Sequence, residues 1–442
     1  MKNEILNFLT DFISISSVST QKERFNDILK AAEFLKNKFS SLGFKVKLIQ
    51  EKSSPPLVLA HRFIGGKKTI GIYGHYDVQP EDPVNEWKTP PFRLTIKNGK
   101  IYGRGVADNK GHIVQNIFAI EELIKENKLK NNIVFLIEGE EESAGSNFEK
   151  YVKKAKDILS RVDVFYLTDV GMIKKNVPTI YYALRGIVYF ELKIKIGESD
   201  LHSGSYGNLA LNPVQLLTYL FSKIKDFKTG KILIPQFYED VRKIDRKEKK
   251  LLKLASVKEK EILKESKLYL IHPLDKKEPS LSSKIYPSMD INGIISGYTG
   301  EGAKTIIPKE ATIKFSFRLI EYQKPEKIIK LVRSFIKENI PKGVKWELKL
   351  LGSAAPFYTP LDNEFIIRTK DILEKVFNNK VVFDRVGGSI PAAEILQRIY
   401  KKPIILTGFI LPDSNLHAPN ENFDEEMFFK GIEALKEIYL SI

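Results

Sequence analysis

The chain has 442 residues, 43% hydrophobic and 29% charged, the composition of a soluble globular protein too long for one ordinary core. With no cysteine it has no disulfide, no thiolate metal site and no thiol nucleophile. No apolar run approaches the ~20 residues a bilayer helix needs, and residues 1–7, with an early acid and no long apolar stretch, do not read as a secretory signal.

A net charge of +16 raises nucleic acid as a partner. The lysines, however, are spread over helical stretches such as 150–156 and 240–267 and mixed with acids. Neither nucleic acid nor membrane is therefore expected as a partner, and the expected location is cytoplasmic. Residues 3–13 and 24–40 space Ile, Leu and Phe as amphipathic helices do, and 44–50, 56–64 and 68–74 read as strands. The last of these stops on Gly74 and His75. A histidine at the carboxyl end of a buried strand stands where open α/β sheets keep their ligands. Two residues on, Asp77 is placed to hold its other ring nitrogen, as metal-bound imidazoles require.

Residues 93–96 and 100–102 flank Asn98-Gly99, a hairpin signal. The glycine-rich GRGVADNKG at 103–111 leads into a helix over 112–125 but lacks the spacing of a phosphate-cradling loop. Asp108, just ahead of that helix, stands either as its N-cap or as a functional carboxylate. A strand over 132–137 runs into EGEEE at 138–142, adjacent carboxylates whose repulsion a nearby cation would remove. A helix over 147–159 and a strand over 162–168, ending on Asp169, follow.

Strands over 187–196, 289–296, 311–319 and 345–351 and helices over 212–224 and 325–338 run β-α-β-β-α-β, the order of a ferredoxin-like α+β unit. It is read as an insert, residues 187–352, in a three-layer, mixed-sheet α/β catalytic domain made of residues 1–186 and 353–442. The highly charged excursion over 226–285 reads as solvent-facing. A strand over 403–407 then leads to His417. His75, Asp108, the glutamate cluster, Asp169 and His417 each lie beyond an apolar segment or open a helix. Two imidazoles with three carboxylates suit zinc first, manganese or cobalt next. Five such ligands exceed one tetrahedral zinc and point to two divalent metal ions sharing a carboxylate. His61, His112 and His272 read as structural.

The blocks GHYDVQP (74–80), GRGVADNKG (103–111), EGEEE (138–142), DLHSG (200–204) and HAPNE (417–421) resemble those of the M20 metallopeptidases, and most of all their dipeptidase branch. GEGAKTIIP (300–308), FSFRL (315–319) and GGSIP (387–391) extend the likeness, in order, over nearly the whole chain. The resemblance implies two metals bridged by Asp108, with His75 and Asp169 completing one site and Glu142 and His417 the other. It makes Glu141 the general base and Asp77 the partner of His75. It sends His202, in a lid and dimerisation domain, across a homodimer interface, and gives Arg318, Gly388 and Ser389 the free carboxylate of a small peptide substrate. A cis peptide after Asp108 is implied too. The implied reaction is hydrolysis of dipeptides or short peptides with a free carboxylate, with N-acyl-amino-acid deacylation as the alternative. One departure leaves a register open. Ser143-Ala144 separates Glu142 from Gly145 where the family reads Glu-Glu-x-Gly-Ser, so Glu140/Glu141 competes with the preferred Glu141/Glu142.

Overall fold

In the computed structural model, which describes residues 2–143, 147–388 and 390–442, the apolar run ending on His75 lies at the middle of a mixed sheet. The first part of the chain supplies β1 (Lys45–Ile49), β2 (Leu57–Arg62), β3 (Thr69–His75), the hairpin β4 (Thr95–Lys97) and β5 (Lys100–Tyr102), then β6 (Asn132–Glu138), β7 (Val164–Leu167) and β8 (Thr179–Leu184). Next come β9 (Gly186–Lys195), β10 (Leu201–His202), β11 (Ser288–Ser296), β12 (Ile306–Ile307), β13 (Glu310–Leu319), β14 (Lys345–Ala354) and β15 (Phe357–Tyr358). The chain closes with β16 (Val382–Val386), β17 (Ile404–Leu406) and β18 (Asn422–Asp424). It divides into two compact units, one of Met1–Tyr182, Thr359–Asp384 and Ile395–Ile442, the other of Ala183–Tyr358 and Arg385–Glu394.

In the first unit the order is β1-β2-β6-β3-β7-β17-β8, and a separate small sheet runs β18-β5-β4. β3 is parallel to both β6 and β7, and β17 is parallel to β7. β3 and β6 are buried along their whole length, as parallel strands covered on both faces are. Their carboxyl ends lie side by side, with His75 opposite Glu138. The helix Lys110–Lys125 is almost wholly buried and is tied to the helix Glu425–Ser441 by Gln115 Nε2, which donates to the Phe428 carbonyl at 2.7 Å. Its close approach to β3 requires glycine at 74, where a Cβ would come within 2.8 Å of Asn109 Oδ1 and 2.9 Å of Ile113. The helix expected over 147–159 is two, Phe148–Lys154 and Lys156–Leu159, parted at buried Ala155. The apolar spacing runs unbroken through that point, so periodicity does not mark it.

The second unit has a sheet ordered β11-β13-β9-β14, antiparallel throughout. With the helices Pro213–Ile224 after β9 and Pro325–Asn339 after β13, this is the ferredoxin-like connectivity. β9 alternates strictly: Val188, Phe190, Leu192 and Ile194 are buried in one cluster with Leu217, Leu220, Val332 and Ile336. Burying side chains of this size is worth roughly 1.5–3 kcal/mol each, so the pattern decides which face of the sheet the helices cover. The charged excursion over 226–285 is not simply solvated. Glu248 and Leu252 are buried, and Arg242 donates to Glu248 Oε2 at 2.7 Å and to Glu321 Oε1 at 2.9 Å. Opposite charges arranged as pairs let a polar segment enter a core. Among the described residues no helix is long and apolar enough to cross a membrane.

Candidate metal centre

His75 closes β3 with its ring fully buried. Nδ1 lies 3.1 Å from the Asp77 carbonyl, which can only accept, so Nδ1 carries a proton and Nε2 is the nitrogen turned to the other carboxylates. That Nε2 faces Asp108 Oδ1 at 3.0 Å and Asp169 Oδ1 at 3.6 Å. The nearer partner of the ring is thus the Asp77 carbonyl; the Asp77 carboxylate stands 3.5 Å off. It is occupied chiefly with the next strand end, accepting the Glu141 N–H at 3.3 Å and the Glu142 N–H at 3.0 Å.

Asp108 is presented by the loop before the helix Lys110–Lys125, and the Asp108–Asn109 peptide is cis, the feature the resemblance implies. The N-cap position belongs to Asn109, leaving the Asp108 side chain free to turn inward. The loop is clasped by Glu421, which is fully buried beside β18. One of its oxygens accepts from Ala107 N at 2.8 Å and Asp108 N at 3.0 Å, the other from Gly105 N at 2.9 Å and Arg104 Nη1 at 2.8 Å. Asn109 Nδ2 donates to Asp169 Oδ1 at 2.8 Å, and Gln79 Nε2 donates to Glu142 Oε2 at 2.7 Å. Sequence reasoning quoted the blocks that hold Gln79, Arg104, Asn109 and Glu421 without giving these residues a role. The available signal was that each is a polar residue beside a proposed ligand or in the same short block.

His417 comes from a loop, in left-handed backbone at φ 57°. Its Nε2 is 3.0 Å from Asp108 Oδ2 and 3.4 Å from Glu142 Oε2. Two groups of three donors result, His75/Asp108/Asp169 and Asp108/Glu142/His417, with the donor atoms of each group within 4.8 Å of one another. Asp108 serves both, one oxygen to each histidine. Glu140 turns away, its carboxylate accepting from the Asn147 N–H at 2.8 Å and the Asn147 side-chain amide at 3.2 Å. The carboxylate of Glu141 makes no hydrogen bond or ion pair among the described residues.

Burial resists charging His75, yet the carboxylates of Asp169, Asp108 and Asp77 hold its pKa well above the imidazole range. Hydrogen bonds to Asp108 and Glu142 raise His417 to about 10. Burial lifts Glu141 to about 8, against the pull of His75 and with help from Asp169, Asp77 and Glu142. Five carboxylates, Asp77, Asp108, Glu141, Glu142 and Asp169, thus crowd two imidazoles, which on their own act as proton sinks to balance them. Glu142 Oε1 is buried with no hydrogen-bond partner among the described residues. Two divalent cations would supply the missing positive charge and satisfy that oxygen, so the donor set fits a pair of such ions.

The remaining expected residues lie in the second unit. His202 closes β10 and is exposed; its Nδ1 accepts the Gly204 N–H at 3.1 Å, the ring's one hydrogen bond among the described residues. Arg318 is half-buried on β13, and Gly388 lies in the turn after β16. Ser389 lies outside the described residues. His112, read as structural, is fully buried and its Nε2 accepts the Phe409 N–H at 3.2 Å.

The sequence matches the description Peptidase family M20/M25/M40 over residues 71–441. It is 29% identical to human Beta-Ala-His dipeptidase, an alignment covering 100% of this chain and 90% of the relative. It is 31% identical to the Cys-Gly metallodipeptidase DUG1 of Saccharomyces cerevisiae, covering 98% and 94%. The fold superposes on the crystal structure of the M20 family metallo-carboxypeptidase Sso-CP2 from Sulfolobus solfataricus with a TM-score of 0.85 and 32% identity, over 99% of this chain and 98% of that one.

Proposed function

The chain belongs to peptidase family M20/M25/M40, and from that membership we propose that it is a metal-dependent hydrolase of dipeptides or short peptides with a free carboxylate. The observation that carries this reading is the pair of three-donor groups sharing Asp108, with Glu141 beside both and part of neither. Two divalent ions, zinc first and manganese or cobalt next, would be held by His75, Asp108 and Asp169 on one side and by Asp108, Glu142 and His417 on the other. Such ions acidify water and polarise a carbonyl oxygen.

The residues divide the remaining work. Glu141, whose carboxylate is unbonded among the described residues, takes a proton from the attacking water on Oε and returns it to the departing amine nitrogen, so the net reaction consumes one water per bond cleaved. Burial, the first cause of its raised pKa, favours the protonated form that the return step needs. Asp77 orients the His75 ring through its carbonyl and seats the Glu141 and Glu142 backbone through its carboxylate. Arg318 and Gly388, with Ser389, take the substrate carboxylate. The insert over 187–352 is assigned lid and dimer contacts, and the exposed His202 is assigned to the partner copy's centre.

The likeness to a metallo-carboxypeptidase favours a second reading, removal of the last residue from longer peptides. The relatives named above are all peptidases, so deacylation gains no support from them. The test is the purified protein loaded with zinc, manganese or cobalt and offered dipeptides, longer peptides and N-acyl amino acids before and after chelation. Chelation should abolish turnover. Glu141→Gln should lower kcat by roughly 10²–10⁴ with two metal equivalents retained. Turnover that survives chelation, or full activity in Glu141→Gln, would sink the reading.

A further inference from the structure

The buried and half-buried arginines of the second unit fall into two kinds. Arg242 and Arg385 are each seated on a carboxylate: Arg242 on Glu248 and Glu321, Arg385 on Glu321. Arg185 and Arg318 make no ion pair among the described residues. They are also neighbours. Arg318 pairs with Ile187 across β13 and β9, and Arg185 lies two residues before Ile187. Arg185 stands one residue ahead of β9, and exposure alternates from Arg185 through Gly186 and Ile187 to Val188 as in extended backbone, so its side chain leaves the sheet on the same side as that of Arg318. It is the side opposite Val188, Phe190 and the helices.

The position of Arg185 is held. Its Nε donates to the Gly387 carbonyl at 3.0 Å, and a Cβ on Gly387 would lie 3.5 Å from Arg185 Nη2. The guanidinium therefore lies along the Gly387-Gly388 turn, and its two terminal nitrogens make no hydrogen bond among the described residues. Burial first and Arg318 second bring Arg185 down to about 10. The acids on this face have lysines beside them: Glu191 has Lys314 at 3.9 Å, Glu310 has Lys193 at 3.0 Å and Glu347 has Lys349 at 3.8 Å. Asp290 lies two residues beyond Ser288, the cross-strand partner of Arg318, but Lys225 Nζ stands 3.7 Å from it and Ser288 Oγ donates to it at 3.2 Å. With each of those acids beside a lysine, Arg185 and Arg318 leave about two positive charges uncompensated among the described residues on a half-buried surface, and like charges so placed oppose each other. Paired arginines of this kind match carboxylates in bidentate geometry.

We propose that Arg185 and Arg318 form one receptor for a dianionic C-terminal residue, so that the preferred substrates end in aspartate or glutamate. The α-carboxylate and the side-chain carboxylate together carry the two charges that the face lacks. This rests on the peptidase reading above, to which it adds a substrate class and a residue, Arg185.

Two measurements on the metal-loaded full-length protein test it. In steady-state kinetics, Ala-Glu should show a KM at least about tenfold below its neutral isostere Ala-Gln, the size of one charge-assisted hydrogen bond, with similar kcat. Arg185→Gln should raise the Ala-Glu KM by about tenfold and the Ala-Gln KM by clearly less, narrowing the ratio toward one. Arg185→Lys, which keeps the charge, should hold part of the ratio and guards against a variant that merely folds poorly. In calorimetry, glutarate should bind more tightly than butyrate, and Arg185→Gln should remove that difference. Equal KM values for the two dipeptides, equal binding of the two acids, or a preference that survives Arg185→Gln each overturns the proposal. If the protein cleaves no peptide yet prefers glutarate through Arg185, the hydrolase reading falls and the receptor stands.

Discussion

His75 and His417 meet the same carboxylate from two unlike kinds of backbone. His75 ends a central strand, its side chain 1% exposed and its ring tied to the Asp77 carbonyl. His417 sits in a loop with its side chain 55% exposed, and Asn415 and Asn420 beside it share its left-handed backbone. What stands in for a strand there is a set of staples. Asn420 accepts the Lys88 N–H at 2.7 Å and donates to the Glu86 carbonyl at 2.9 Å, and Asn422 N donates to the Ser414 carbonyl at 2.9 Å. One ligand is aimed by the sheet, the other by side chains that hold a loop to its neighbours. A rigid scaffold carrying one half of a site and a loop the other is how position and adaptability are combined.

The comparison breaks most completely where its two sides meet. Asp108→Ala should remove turnover entirely, a loss beyond the roughly 10²–10⁴ that one general base supplies, with metal content by mass spectrometry falling below one equivalent. Next come the two histidines. His75→Ala leaves a buried gap among Asp77, Asp108 and Asp169 and should lower the melting midpoint by several degrees as an ion is lost. His417→Ala should release an ion with a midpoint shift of under about 2 °C, because half of that ring is already in water. Equal shifts for the two would erase the distinction. Asp77→Asn, which weakens the seat of Glu141 and Glu142, should cost roughly 10–100-fold in metal affinity or kcat/KM. Asn420→Ala should cost least, a few-fold in kcat/KM, corresponding to about 1 kcal/mol from the lost loop bonds. Its effect should appear in occupancy of the His417 side and leave the His75 side alone.

Much of the molecule could be read from its residues where one residue reports on one environment. The strict alternation of β9 and the unbroken apolar runs of β3 and β6 announce their faces directly. Asp169 and His75 stand out because charge directly after such a run has no apolar explanation. Reading fails where meaning depends on a distant partner. Glu421 looks like any acid in a polar loop until the chain brings it to the backbone of 105–108. Arg185 looks like any arginine between two strands until its lack of a counter-ion among the described residues is visible. The return of Arg385–Glu394 to the second unit carries no shift in composition that would mark it. Whether the pair is Glu141/Glu142 or Glu140/Glu141 turns on side-chain directions, Glu142 joining Asp108 and His417 while Glu140 turns to Asn147, and all three follow the same strand within a few residues.

The clasp made by Glu421 also sets a schedule. Arg104 and Glu421 are 317 positions apart, so the ribosome releases the glycine-rich loop long before the acid that fastens it exists. Until residues 413–421 dock, four donors beside Asp108 have no acceptor, and the aspartate shared by the two donor groups has no fixed aim. Any product shortened ahead of that point would keep most of the sheet and nearly every ligand, yet be chemically inert.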